Sequence, residues 1–139
     1  MKYNDIRRKT RKIKIGNTFI GENAPIAIQS MTNTDTHDKK ATCEQIFALQ
    51  NAGCDIVRIT VPDVEAADTI TYIKEHGIKV PIVADIHFDY RVALRCAELG
   101  VDKIRINPGN IGDDERVRAV CEACNAKNIP IRIDRKSVV

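Results

Sequence analysis

From residue 26 onward, short strand-like segments alternate with longer segments of helical periodicity. Five short segments rich in Ile and Val predict strands: 26–31 (IAIQSM), 56–61 (IVRITV), 81–87 (PIVADIH), 103–108 (KIRINP) and 130–134 (PIRID). Four segments between them predict helices: 39–52, 64–76, 89–99 and 113–127. Gly53, Gly77 and Gly100 follow three of these helices, where a residue of left-handed conformation is expected. Strands and helices that alternate in this way predict βαβ units and a parallel sheet.

The two faces of the predicted strands differ in polarity. Val57 and Ile59 share one face of the second strand, and Arg58 and Thr60 share the other. An open doubly wound sheet needs strands that are apolar on both faces, and no G-x-G-x-x-G follows the first strand. A barrel with helices outside and a site in its C-terminal mouth explains one polar face. We therefore predict an α/β fold, a partial (β/α)8 TIM barrel of about five parallel strands with outer helices.

A separate segment precedes these units. Its sequence, KIKIGNTFIG, predicts a β-hairpin with strands at 12–15 and 18–20 around Gly16-Asn17. Such a hairpin could plug the bottom of a barrel. We therefore divide the chain into a basic leader with a hairpin, 1–25, and the first part of a TIM-barrel domain, 26–139.

Three of the strands carry the same triplet, an arginine between two apolar residues. These arginines are Arg58, Arg105 and Arg132. If the apolar neighbours face the helices, the three guanidinium groups converge inside the barrel, where unpaired cations are costly. Guanidinium groups bind phosphate oxygens through paired hydrogen bonds, so the arrangement predicts a substrate with two or more negative charges. The alternative is that the arginines pair with acids in the barrel layers and support the fold.

Two further acid–base candidates end the third strand. Asp85 and His87 lie two residues apart on the predicted inner face, where they could act as hydrogen-bonding or acid–base groups in catalysis. The polar loop 29–38 follows the first strand. It could contact the substrate, or it could be a surface loop that only caps the following helix.

The turn after the fourth strand is also a candidate for substrate binding. Pro108 ends the strand because it has no N–H group, and Gly109 permits a positive φ. A turn of this kind can aim backbone N–H groups at an anion held by Arg105. Asn107 and Asn110 flank the turn and are predicted to contact the substrate.

The composition is that of a globular protein, with 43% hydrophobic and 29% charged residues. No apolar run approaches the length of a membrane helix, and the N-terminus lacks the apolar core of a secretory signal. We therefore expect a cytoplasmic protein. Residues 1–14 hold seven of the 22 Lys and Arg residues. Because the rest of the chain is acidic, we interpret this arm as a solvated leader, without a nucleic-acid or membrane partner.

The chain has five cysteines, an odd number for a protein without an export signal. This predicts reduced thiols rather than a disulfide framework. Cys121 and Cys124 form a C-x-x-C motif within a predicted helix. Without a second pair, we expect them at a helix interface and predict no metal site.

Four motifs closely resemble, in order and spacing, those of the 4-hydroxy-3-methylbut-2-enyl diphosphate synthase family of the methylerythritol phosphate route to isoprenoids. They are IAIQSMTNTDT, GCDIVRITVP, VPIVADIHFD and KIRINPGNIG. The leader RRKTRKIKIGNTFIG resembles the start of that family. The resemblance covers residues 7 to about 133, and the following Asp134-Arg135-Lys136 departs from the family pattern.

The resemblance implies an N-terminal (β/α)8 barrel and a smaller C-terminal domain that holds a 4Fe-4S cluster. The implied reaction converts 2-C-methyl-D-erythritol 2,4-cyclodiphosphate to (E)-4-hydroxy-3-methylbut-2-enyl diphosphate by two-electron reductive ring opening with loss of water. Flavodoxin or ferredoxin would supply the electrons. In the family's homodimer, the cluster domain of one subunit covers the barrel of the other.

The resemblance also implies roles for individual residues. It places Arg58, Arg105 and Arg132 on the diphosphate. The same mouth would be lined by Asp85, His87 and Asn107. The cluster domain and the cluster cysteines have no counterpart in this sequence, so we expect the chain to be inactive by itself. Two alternatives are a non-enzymatic half-barrel that associates with itself, and another phosphate-binding TIM-barrel enzyme such as a pterin-type synthase.

Overall fold

A computed structural model describes residues 8–133 of the chain. The strands are β1 (Ile13–Ile15), β2 (Thr18–Ile20), β3 (Gln29–Met31), β4 (Ile56–Thr60), β5 (Ile82–Ile86), β6 (Lys103–Ile106) and β7 (Ile131–Ile133). The helices are α1 (Lys39–Asn51), α2 (Val64–Ala67), α3 (Thr69–Glu75), α4 (Tyr90–Glu98), α5 (Pro108–Ile111) and α6 (Asp114–Ala126). The basic residues 1–7 and the divergent residues 134–139 lie outside the described part, so the predictions for them stay predictions.

Strands β3 to β7 form one parallel sheet in the order β3-β4-β5-β6-β7. Every strand pairs with the next strand in the chain, and helices occupy each connection. Strands β1 and β2 form a separate antiparallel hairpin. The predicted α/β fold with outer helices and an N-terminal hairpin is confirmed. Within residues 8–133, β3 and β7 each pair on one side only, so the sheet is open at both edges.

One face of the sheet is apolar and packs against the helices. The strands contribute Val57, Ile59, Ile82, Ala84, Ile86, Ile104 and Ile106 to this core. The helices contribute Ile46, Ala66, Ile70, Ile73, Val92, Cys96 and Val120. Burying each large aliphatic side chain contributes about 1.5–3 kcal/mol. This layer therefore directs the opposite, mixed face of every strand away from the helices.

The hairpin covers the lower end of that opposite face. Ile15 of β1 packs there with Ile56 and Val83, and all three are buried. At the hairpin turn, Gly16 has φ +57°, and a Cβ atom at this position would lie 3.0 Å from Asp102 Oδ1. Glycine is therefore needed for both the turn and its close approach to the sheet. The hairpin closes the bottom of the sheet's inner face, as expected.

Aspartate or asparagine is the N-cap of every helix that directly follows a strand, and of α6 as well. Asp38, Asp63, Asp89, Asn107 and Asp113 are the N-caps of α1, α2, α4, α5 and α6, and each side chain accepts a backbone N–H bond. These caps satisfy N–H groups that otherwise lack a partner in the first turn of a helix. They also fix the loops at the carboxyl ends of the strands.

The first barrel strand is shorter than predicted. Only Gln29–Met31 pairs with β4, whereas Ile26 and Ile28 are 79% and 63% exposed. Within the described residues β3 pairs with β4 alone. Ile26 and Ile28 therefore lie exposed beside an open edge of the sheet.

Two other elements differ from the prediction. The segment 64–76 forms two helices that are separated at Asp68 rather than one helix. The expected turn after β6 is the short helix α5, and Gly109 is not among the residues with positive φ. In contrast, Gly53, Gly77 and Gly100 have φ values of +97°, +79° and +78°, which confirms the predicted helix ends.

Candidate functional site

The sheet register places the predicted site residues on the inner face. Residues paired across a parallel sheet project to the same side, and side chains alternate along each strand. Thr60, Asp85, Arg105 and Arg132 form one such row across β4 to β7. Arg58 is two residues from Thr60, so it lies on the same face. The three arginines therefore share the face opposite the helices.

Asp85 is the centre of this arrangement. The residue is 2% exposed, and its Oδ1 accepts a hydrogen bond from Arg105 Nη1 at 2.5 Å. Its Oδ2 lies 3.6 Å from Arg58 Nε, and His87 Nε2 lies 3.3 Å from Oδ1. A buried carboxylate is stable when cations of this kind surround it. The structure therefore brings Arg58, Asp85, His87 and Arg105 into contact.

Two of the arginines thus have an acidic partner, as the alternative interpretation proposed. Asp85 carries one negative charge and contacts both guanidinium groups. Arg58 Nε is buried without a hydrogen-bond partner in the described structure, and its Nη2 donates to Met31 Sδ at 3.4 Å. The side chains of Arg58 and Arg105 are still 25% and 20% exposed. Both guanidinium groups can therefore pair with Asp85 and remain accessible from the inner face.

Arg132 and Lys103 add two further cations to this face. Arg132 is exposed on the edge strand β7, and residues 8–133 contain no recorded ion pair for either side chain. Burial disfavours the charged form of Lys103 and lowers its pKa, and repulsion from Arg132 and Arg58 lowers it further. Lys103 thus lies within electrostatic range of both Arg132 and Arg58. Among residues 8–133, cations thus outnumber carboxylates on the inner face.

Lys103 was not among the predicted site residues. The signal for it was present, because Lys103 and Arg105 alternate with Ile104 and Ile106 in the same strand. Unlike the three arginines, Lys103 does not lie between two apolar residues. Its position on the same face of the sheet is therefore the only feature that links it to them. Its partner across the sheet is Val83, one of the buried apolar residues on which the hairpin packs. Lys103 therefore lies below the level of Asp85 and Arg105.

His87 follows β5 and stands at the carboxyl end of the sheet. Its side chain is 49% exposed, and its ring meets that of Phe88 edge-on with centroids 6.0 Å apart. One ring nitrogen faces Asp85, so the other ring nitrogen is available for a different partner. The geometry suits a group that exchanges a proton or hydrogen-bonds a ligand above Asp85.

The asparagines near α5 have local roles. Asn107 Oδ1 accepts from Gly109 N at 3.0 Å, and Asn107 O accepts from Asn110 N at 2.9 Å. Asn107 thus engages the N–H groups of Gly109 and Asn110, and the predicted contact of the turn's backbone with an anion stays a prediction. Asn107 is partly buried and Asn110 is exposed. Their predicted contacts with a substrate stay predictions.

The loop that follows β3 is held firmly in place. Thr36 Oγ1 donates to Thr60 O at 2.5 Å, and Thr69 Oγ1 donates to Thr36 O at 2.6 Å. Asp38 caps α1, as one of the two interpretations of segment 29–38 proposed. The loop lies at the carboxyl end of the sheet, beside the end of β4. Its contact with a substrate stays a prediction.

The cysteines lie in or beside the helices. Cys43, Cys54, Cys96 and Cys124 are buried free thiols, and Cys121 is exposed. Burial raises the pKa of Cys96 to about 12 and that of Cys124 to about 11. Such thiols stay protonated and unreactive near neutral pH. In residues 8–133, no group of three or more His, Cys, Asp or Glu side chains is arranged to hold a metal ion.

Of the helices in residues 8–133, none combines the length and the apolar composition that crossing a membrane requires.

Comparison with known protein families gives one match that covers most of the chain. Residues 10–136 match the family model described as the GcpE TIM-barrel domain. The matched segment contains the hairpin, all five barrel strands and the charged residues of the inner face, from Arg58 to Arg132.

Curated relatives match at high identity. The chain is 62% identical over 128 residues to the 4-hydroxy-3-methylbut-2-en-1-yl diphosphate synthase (flavodoxin) of Pseudomonas aeruginosa (strain LESB58), which is 92% of this chain and 34% of the relative. It is 58% identical over 127 residues to the synthase of the same name from Ruminiclostridium cellulolyticum, covering 91% of this chain and 36% of the relative. The chain thus spans about a third of the length of these relatives.

A solved structure shares the fold at low sequence identity. It is the dihydropteroate synthase of Xanthomonas albilineans in complex with indole-2-carboxylic acid and 6-chloroguanine. The TM-score is 0.59 at 14% identity, and the match covers 86% of this chain and 48% of that one. At this identity the likeness supports a barrel fold and carries no argument about the substrate.

Proposed function

Because this chain belongs to the GcpE family, we propose that it is the diphosphate-binding part of a 4-hydroxy-3-methylbut-2-en-1-yl diphosphate synthase. The observation that carries the proposal is the charge of the inner face. Within residues 8–133, four cations, Arg58, Lys103, Arg105 and Arg132, share this face with one carboxylate, that of Asp85. A ligand with two or more negative charges would balance this surplus.

The chemistry of the cations fits a diphosphate. Each guanidinium group offers several N–H donors in a planar fork that matches two phosphate oxygens. Asp85 holds Arg105 and Arg58 in position from the buried side. Both guanidinium groups are therefore held in position before a ligand arrives, which reduces the entropy lost on binding. Arg132 approaches from the neighbouring strand β7.

The substrate proposed is 2-C-methyl-D-erythritol 2,4-cyclodiphosphate, which the family resemblance implies. In this assignment the arginines hold the phosphates, and Asp85 and His87 serve as the hydrogen-bonding or acid–base groups next to them. Asn107 and Asn110 complete the proposed mouth from the loop after β6. His87 suits a proton-transfer role because one ring nitrogen is fixed by Asp85 and the ring remains half-exposed.

Family membership also supports a redox cofactor, and we propose the 4Fe-4S cluster that the resemblance implies. The described residues do not fit such a cluster. The five cysteines are spread over the helix layer and its edges, and burial keeps Cys96 and Cys124 protonated. We therefore assign substrate anchoring to this chain and derive no redox step from it. By itself the chain is expected to give no product when substrate and a chemical reductant are supplied.

The proposed partners follow from the same family. The relatives' names specify flavodoxin, so flavodoxin, or a ferredoxin, is the proposed electron donor. A homodimer, in which a cluster domain from one subunit covers the barrel of the other, is proposed for the longer protein. We further propose that 1–25 and 26–139 are the leader with hairpin and the first part of the barrel domain.

Isothermal titration calorimetry of this chain with the cyclic diphosphate tests the anchoring role. Replacing Arg132→Ala removes an exposed cation that has no recorded ion pair in residues 8–133, so the fold should be unaffected. We expect an affinity loss of about tenfold or more, as for a lost charge-assisted hydrogen bond. Arg118→Ala, on the exposed side of α6, is the matched control and should bind like the wild type. Equal affinity in both variants, or no binding by the folded wild type, would remove the proposal.

A further inference from the structure

His37 lies between two carboxylates that belong to different loops. Its Nδ1 is 2.7 Å from Asp35 Oδ1, and its Nε2 is 2.7 Å from Asp63 Oδ2. Asp35 belongs to the loop after β3, and Asp63 is the N-cap of α2 after β4. The three side chains are partly exposed, at 36% for His37, 71% for Asp35 and 51% for Asp63. None of them belongs to the group formed by Arg58, Asp85, His87 and Arg105.

The two short contacts of the His37 ring restrict its protonation state. A carboxylate only accepts hydrogen bonds, and a neutral imidazole has a single N–H group. His37 can therefore donate to both carboxylates only as an imidazolium, with a proton on each ring nitrogen. A neutral His37 would place a ring lone pair 2.7 Å from an ionised carboxylate oxygen, which is repulsive. The geometry thus selects the protonated ring.

Electrostatics acts in the same direction. The hydrogen bond with Asp35 is the main cause that raises the pKa of His37 above its usual 6.5, and the bond with Asp63 raises it further. In return, the pKa of each carboxyl group falls below the usual 3.8. For Asp35 the backbone N–H of His37 is the first cause, and for Asp63 it is the N–H of Ala66. Each ionised form stabilises the other.

The contacts join two neighbouring loops at the mouth of the sheet. Asp63 uses Oδ1 to cap α2 through Ala66 N at 2.8 Å while Oδ2 faces His37. On the other side, Asp35 Oδ1 also accepts the His37 backbone N–H at 3.0 Å. His37 thus connects the loop 32–38 to the N-terminus of α2, in addition to the threonine bonds described above. Loops at the carboxyl ends of barrel strands form the sites of barrel enzymes.

Few other charged groups are placed to replace these partners. The other charged groups at the adjoining helix ends are Asp38 and Lys39 at the start of α1, and Glu65 in the first turn of α2. The carboxylate of Asp38 already accepts from Ala41 N at 3.0 Å. The electrostatic partners of His37 in the described structure are Asp35 and Asp63.

We propose that His37 is a positioning residue which, as an imidazolium, clasps the loop 32–38 to the N-terminus of α2 and holds this side of the mouth in shape. The clasp itself does not depend on the ligand; only its importance for binding rests on the proposed function.

The sign of the pH dependence of this clasp follows from the directions in which the pKa values of His37, Asp35 and Asp63 shift. The clasp is complete below the ordinary histidine pKa of 6.5 and is lost as pH rises through the raised value. At the acid end it is lost as pH falls through the lowered values of Asp35 and Asp63, below 3.8.

Nitrogen-detected NMR of the imidazole rings in this chain tests the protonation state. At about pH 6 we expect His37 to show two protonated ring nitrogens and to titrate with a midpoint above the ordinary value. Replacing Asp63→Asn should shift that midpoint downward, and His37→Gln identifies the resonance by its loss. A single protonated nitrogen at about pH 6, or a midpoint unchanged in Asp63→Asn, overturns the proposal.

Hydrogen–deuterium exchange of the amides in 33–37, expressed as protection factors at about pH 6 and about pH 9, tests the positioning role. We expect wild-type protection to fall at the higher pH and His37→Gln to lack protection at both. His37→Arg should be protected at both, because arginine stays charged and can donate to two carboxylates. Equal protection in the wild type and His37→Gln at about pH 6 overturns the role. Neither measurement uses the diphosphate, so a failure here is distinct from a failure of the calorimetry.

Discussion

Asp85 is the one acidic or basic residue that is buried in residues 8–133. It is held by Arg105 at 2.5 Å and by Arg58 at 3.6 Å, while His87 approaches from the strand end. A buried carboxylate of this kind has two roles that depend on each other. It needs the cations in order to be buried, and it fixes the cations where a ligand can meet them.

Replacing Asp85→Asn should therefore destabilise the fold. Removing one partner of a buried ion pair costs about 3–5 kcal/mol, and because both arginines keep some contact with water we expect about 2–3 kcal/mol. Urea denaturation followed by circular dichroism measures this change. Asp114→Asn, at an exposed position in the first turn of α6, is the control and should change stability by less than about 0.5 kcal/mol. Equal stability of the two variants would contradict the central role of Asp85.

The cysteines predict a pattern of reactivity. Cys121 is exposed, whereas burial raises the pKa of Cys96 to about 12 and that of Cys124 to about 11. Because the thiolate is the reactive form, brief alkylation of the native chain should label Cys121 before these two. Mass spectrometry of the labelled peptides measures the order, and labelling in denaturant is the control in which all should react. Early labelling of Cys96 would contradict the packing of α4 against α6.

At the scale of elements, the hairpin packs on the lower end of the sheet through buried apolar side chains. The β1–β2 pair is separate from the barrel sheet in its hydrogen bonding, so side-chain packing connects the two. Ile15 supplies that contact against Ile56 and Val83. The inner face consequently has an apolar lower end and a charged upper end. This division keeps Asp85, Arg105 and Arg132 toward the mouth, where a ligand can enter.

Replacing Ile15→Ala tests how much the hairpin contributes. Ile15 is fully buried, and truncating a buried isoleucine to alanine costs about 2–5 kcal/mol. Ile13, two residues earlier in the same strand, is 42% exposed, so Ile13→Ala should cost well under half as much. Chemical denaturation of the two variants gives the comparison. Equal costs would mean that the hairpin does not pack on the sheet as described.

At the scale of the whole molecule, the described sheet ends in two open edges. Strand β3 and strand β7 each have one unpaired side within residues 8–133. Next to these edges, Ile26, Ile28 and Ile133 are 79%, 63% and 64% exposed. Exposed apolar strand edges favour association with other strands. The alternative of a half-barrel that associates with itself stays a prediction, and these edges are where such pairing would occur.

We expect this chain to associate in a concentration-dependent manner. Size-exclusion chromatography with light scattering measures the mass across a dilution series. Ile28→Lys places a charge at one edge, where it disfavours strand pairing, and should shift the equilibrium toward monomer. His76→Lys, on the exposed end of α3, is the control. A stable monomer at every concentration would contradict association through the edges.

Much of the fold and part of the site followed from local patterns. Alternation of period two assigned Arg58, Arg105 and Arg132 to one face of their strands, because successive side chains in a strand must point in opposite directions. Helix ends at Gly53, Gly77 and Gly100 were predictable from their need for a positive φ. These features depend on a few consecutive residues, so the sequence by itself determines them.

The tertiary structure decided which of these side chains meet. The pairing of Asp85 with Arg105, 20 residues apart, depends on the register between β5 and β6. The contact of His37 with Asp63, 26 residues apart, depends on how two loops lie at one end of the sheet. No local pattern contains a distance of this kind, since many registers satisfy the same alternation. Chain periodicity therefore determined the faces, and the strand register and the arrangement of the loops decided the partners.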